Sequence, residues 1–153
     1  MNARFAECLR QLEPKFRELT ATAPVKMHTL PKSVPDAGVY LFSEKERNLY
    51  VERTANIRGR LRNHCRGNHN AASFAFLLAR EKTGSLQPTY QKRGSRVDLM
   101  CQESFKAVFF SQIERVKQMD VRFVEEADPV RQMLLEVYVA IALDTPYNKF
   151  KTT

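Results

Sequence analysis

The 153-residue chain has no tryptophan, three cysteines, five glycines, and 17 acidic residues against 25 lysines and arginines. Cys8, Cys65 and Cys101 are odd in number and far apart. They lack the close spacing of metal ligands, which argues against both a disulfide framework and a zinc site and leads us to expect a reducing, cytoplasmic setting. Long apolar runs are also missing: the longest, residues 133–143, contains Glu136 and falls well short of the roughly 20 residues a membrane helix needs. The first twenty residues carry charges every few positions and have no apolar core of the kind a secretory signal requires. No membrane partner is expected. The shortage of acids leaves a net charge of +8 and a pI near 9.6, a balance that favours a polyanionic partner, nucleic acid first.

The length fits one domain with a real core. Phe5, Leu9, Leu12, Phe16 and Leu19 recur at steps of four and three and predict an N-terminal helix over about 3–20. Three prolines between residues 24 and 35 end helical structure. The runs "GVYLF" and "NLYVE", joined by the polar "SEKER", predict a β-hairpin centred near Lys45 that sets Tyr40 opposite Tyr50 on one sheet face. A helix over about 55–66 follows, with Thr54 as its expected cap and Gly59 as an interior cost of roughly 1 kcal/mol. Further helices are expected from near Asn70 to Gly84 and through the stripe Phe105, Val108, Phe109, Ile113 and Val116, with a loop over 85–96 between them. "VRFVEE" alternates as a strand. Asp128 then caps a final helix whose first position is Pro129. The expectation is an α/β (α+β) domain spanning 1–153, with a small three-stranded antiparallel sheet flanked by helices and a helical insertion over about 67–120.

Two local features point to chemistry. On the final helix Glu136 is the single charge between Arg131 and Asp144, among positions apolar almost all the way round. A carboxylate there needs a cation, either a structural arginine or a metal ion. Between Arg53 and Arg66 five arginines occur without an acid, and such mutual repulsion favours an anionic ligand over a merely solvated face. Asn56, Arg60 and His64 recur at helical spacing beside Arg53 and Arg58.

The order of "GVY" at 38–40, "YVE" at 50–52, Arg60, His64, Glu136 and Asn148 resembles the GIY-YIG nuclease family, over about residues 35–66 and 121–149. That resemblance implies hydrolysis of DNA phosphodiester bonds with Mg²⁺ or Mn²⁺. Tyr40, Tyr50, Arg60, His64 and Glu136 would be catalytic and Glu136 the metal ligand. It also implies that cations around Tyr40 favour its phenolate as the base. Arg53, Asn56, Arg58 and Asn148 would line the substrate cleft, while Lys92, Arg93 and Arg96 would touch the nucleic-acid backbone from an exposed loop. One position departs from the pattern. Glu52 stands where the second motif has glycine, on the strand face of Tyr50 and within reach of the helix arginines. Its charge weakens the nuclease expectation, and a nucleic-acid-binding module that does not cut is the alternative.

Overall fold

A computed structural model describes residues 1–85 and 91–150. The first part of the loop expected over 85–96 therefore lies outside the described residues. The chain divides into two compact units, Met1–Arg60 with Met119–Thr153, and Leu61–Gln118. The segment read as an insertion falls almost wholly in the second.

In the first unit, helix α1 (Ala3–Ala21) is capped by Asn2, whose side chain accepts from the Phe5 amide at 3.2 Å. Strands β1 (Val25–Lys26), β2 (Gly38–Glu44), β3 (Arg47–Thr54) and β4 (Asp120–Glu125) form an antiparallel sheet in the order β1-β4-β2-β3. The described residues thus hold four strands, not the expected three. β1 is two residues long, too short to alternate visibly. Helix α6 (Pro129–Ala142) starts at the Asp128 cap, which accepts from the Arg131 amide at 2.8 Å. One sheet face carries Val39, Leu41, Val51 and Val124, and these pack with Leu12 and Leu19 of α1 and Leu135, Val139 and Ala140 of α6. Burying each of the larger side chains contributes about 1.5–3 kcal/mol. No helix among the described residues is long and apolar enough to cross a membrane.

The hairpin register differs from the expected one. Tyr40 pairs with Glu52 and Phe42 with Tyr50, and a bulge between Phe42 and Ser43 shifts the ladder. Lys45 and Glu46 form a two-residue turn with both φ positive, 50° and 64°, the backbone that hairpin twist favours and that "SEKER", lacking glycine, did not announce. The net slip is two residues. An even slip keeps every side chain on its face, so Tyr40 and Tyr50 still share one.

The second unit holds the C-terminal residues of α2 (Ile57–His64), then α3 (Ser73–Thr83), α4 (Arg96–Cys101) and α5 (Glu103–Lys117). Gly84 closes α3 in the left-handed region at φ 73°. Phe76 lies at its centre, with ring centroids 5.2 Å from Phe105 and 5.8 Å from Phe109.

Two details fix the frame of the first unit. Gly38 lies where β4 passes so close that a Cβ would sit 2.0 Å from the Val124 carbonyl oxygen. Between β4 and α6, buried Glu126 takes two bonds from Arg131, at 2.8 and 3.0 Å, and one from the Asp128 amide. Burial opposes the Glu126 charge, but the Arg131 hydrogen bonds outweigh it and hold the carboxyl below its ordinary value.

Gly38→Ala should therefore cost roughly 2–4 kcal/mol in urea denaturation, since backbone must move to admit the methyl group. Arg131→Gln tests the clasp. A depressed folded pKa gives stability that is present above the ordinary carboxylate value and lost as pH falls through the folded one. The gap between parent and variant should be wide at pH 7 and close at about pH 3.

Candidate functional site

Four side chains of the first unit meet on the sheet face opposite the α1 and α6 core. The Glu52 carboxylate accepts from the Tyr40 hydroxyl at 2.8 Å and the Tyr50 hydroxyl at 3.2 Å through one oxygen, and from Arg60 Nε at 2.7 Å through the other. Local rules place each of them. Tyr40 and Glu52 are cross-strand partners, and Tyr50 lies two residues before Glu52. Arg60 is presented by α2, whose true cap is Asn56, not Thr54: the Asn56 side chain accepts from the Gly59 amide at 2.9 Å. Gly59 is the partner this cap requires, since a Cβ there would lie 2.5 Å from the Asn56 carboxamide nitrogen. Phe42, a neighbour that motif reasoning missed, meets the Tyr40 ring edge to face at 5.7 Å.

The electrostatics reverse one expectation. Burial and then the Glu52 charge push both Tyr40 and Tyr50 well above the ordinary phenol value. Arg60 pulls the other way but does not prevail. The phenols are therefore held as O–H donors, and neither is a poised phenolate base. Burial works against the Arg60 charge too, yet its bond to Glu52 more than offsets that and raises its pKa. Glu52 and Arg60 are both largely sheltered, with side chains 18% and 21% exposed.

Glu136 takes the structural cation that its place on α6 allowed. Arg53, whose side chain leaves β3 on the side opposite its neighbour Glu52, donates to Glu136 at 3.1 Å. Burial raises the Glu136 carboxyl; Arg53 lowers it, and the Glu52 charge adds to the rise. Glu136 is also felt at Tyr50 as a charge. A divalent ion is the other cation that the resemblance implies for Glu136. The one carboxylate expected to bind it is already matched by a guanidinium, and among the described residues no three His, Cys, Asp or Glu side chains gather to hold a metal.

The other expected site residues separate. Asn148 is structural: its side chain donates to the Val51 carbonyl at 2.7 Å and accepts from the Val51 amide at 2.8 Å, standing in for a missing strand beside edge strand β3. Arg58 donates to the Pro31 carbonyl and ties down the proline-rich segment before β2. His64 belongs to the second unit and is fully buried. Lys92 and Arg93 are exposed. Arg96 is not a loop residue, because Ser95 caps α4 and makes Arg96 its first residue. Its guanidinium lies 4.6 Å from the Phe76 centroid and donates to the His69 carbonyl at 2.6 Å.

Spectrophotometric titration should find Tyr40 and Tyr50 un-ionised at about pH 11 in the folded protein, above the ordinary phenol value near 10. In Glu52→Gln both should ionise at lower pH. An unchanged titration would remove Glu52 as a cause.

No family model, curated protein or solved structure matches the chain.

Proposed function

We propose that the first unit is a phosphodiester-binding domain of the GIY-YIG nuclease kind, in which the Glu52 carboxylate holds the place of the phosphate, so that the chain binds DNA and cuts it weakly or not at all. The observation that carries this reading is the convergence of two phenolic O–H groups and one guanidinium on a single carboxylate. A carboxylate and a phosphodiester each carry one negative charge spread over two oxygens, and this donor set suits either. Exposed Arg62, Arg66, Lys92 and Arg93, within a net charge of +8, supply the sequence-independent attraction that DNA backbones exploit.

The same arrangement explains why hydrolysis is held back. A general base must be able to release its proton, and Tyr40 is buried beside a negative charge that tightens its hold on it. Glu52 also competes with an incoming phosphate for Arg60. With Glu52 gone, burial still raises the phenols, but Arg60 lowers them without the opposing carboxylate, which brings the family's chemistry nearer. A Mg²⁺ or Mn²⁺ ion at Glu136 would first need Arg53 to leave. This ion pair favours the second reading, a binding module that does not cut in any variant.

Glu52→Gly and Glu52→Gln separate the readings, with plasmid nicking and duplex affinity measured at matched salt with Mg²⁺ or Mn²⁺. Both variants should bind DNA about tenfold more tightly, a change of roughly 1.4 kcal/mol. Glu52→Gly should also gain metal-dependent nicking that Tyr40→Phe or Glu136→Ala abolishes. Tighter binding without nicking selects the module. Weaker binding by both variants would overturn the phosphate-mimic reading.

A further inference from the structure

On the helix-covered face of the sheet, a second guanidinium has only neutral acceptors. Leu41 on β2 and Arg122 on β4 are register partners on the two inner strands, so Arg122 emerges on the face of Leu41, among the residues packed by α1 and α6. Helical cover stops there, with α1 ending at Ala21 and α6 at Ala142. A hollow of about 510 Å³ opens, lined by Leu41, Ser43, Arg122 and Leu143 together with Thr20 and Glu46.

Arg122 donates to the Thr22 carbonyl at 3.0 Å and to the Ser43 hydroxyl oxygen at 3.4 Å. Both acceptors are neutral, and no carboxylate among the described residues bonds this guanidinium. Ser43 is 2% exposed. Its oxygen is already an acceptor from Arg122, which leaves the hydroxyl proton to serve a further acceptor. A sheltered guanidinium and a buried hydroxyl at one wall call for an anionic oxygen.

We infer that this hollow binds a small carboxylate with an apolar body, the carboxylate on Arg122 and Ser43 and the body against Leu41 and Leu143. The charges at the rim select among anions. Asp120 also lines the hollow and is neutralised by Lys26 at 2.8 Å, whereas Glu46 is exposed in the hairpin turn and carries a charge that opposes a dianionic phosphate more than a monoanionic carboxylate. The site shares no residue with the Glu52 constellation and does not depend on the function proposed for it.

The test is a titration of the full chain with butyrate, butyramide and inorganic phosphate at constant ionic strength, read from backbone amide shifts. Butyrate should give saturable shifts at Leu41, Ser43, Arg122 and Leu143, weakened at least tenfold by Arg122→Gln and severalfold by Ser43→Ala. Glu52→Gln should leave them unchanged. Should Arg122→Gln fail to fold, Ser43→Ala decides alone. Absence of saturable shifts, or an equal response to butyramide, would overturn the site. A phosphate response equal to that of butyrate would overturn the carboxylate assignment.

Discussion

The pairing of Tyr40 with Glu52 across the β2–β3 ladder governs the rest of the site. It sets a phenol against a carboxylate at 2.8 Å inside the protein, and Tyr50 and Arg60 are then drawn to the same acceptor. Each donor satisfies a charge that would otherwise be costly at this depth. The carboxylate adds to burial in holding both phenols protonated. A site built from the same tyrosines and arginine around a neutral residue would lose that part, with burial still raising the two hydroxyls and Arg60 lowering them.

Charges counted along a chain do not give charges in space. The arginines from Arg53 to Arg60 look unopposed in sequence, yet Glu52 and Glu136 come to Arg60 and Arg53 from outside that span, and Arg58 is taken by a carbonyl. Basic character survives in the exposed side chains of Arg62, Arg66, Lys92 and Arg93. The division is physical. At Arg60 and Glu136, low solvent exposure makes an unmatched charge expensive, so each takes an opposite charge; exposed Arg53 is drawn in as the partner of Glu136, and water serves the other exposed arginines.

The sequence made the main elements legible because periodicity reports which face is buried. The stripe of α1, the alternation of β4 and the Asp128–Pro129 start of α6 are all local signals. What local patterns could not carry was longer in range or too short to repeat. β1 has two residues, and the hairpin register depends on a turn whose positive-φ residues are Lys45 and Glu46. Asn148 reaches back 97 positions to complete the edge of β3, a role that its motif position hides. Arg96 reads as a loop cation until Ser95 is seen to cap a helix and Phe76 to lie beneath the guanidinium.

Position 52, where the motif that this chain resembles has glycine, is best compared at the backbone first. Where this chain needs glycine the reason is visible: Gly38 meets a carbonyl of β4, and Gly59 meets the carboxamide that caps α2. Glu52 has neither constraint. It is not among the residues with positive φ, and it pairs in regular register with Tyr40 inside a strand that continues to Thr54. The backbone at this point thus makes no demand that only glycine meets. What glutamate sets is occupancy and charge, since its carboxylate fills the space among two hydroxyls and a guanidinium. The fold accommodates glutamate here because Glu52 satisfies those donors itself, and any other anion that approached them would have to displace it.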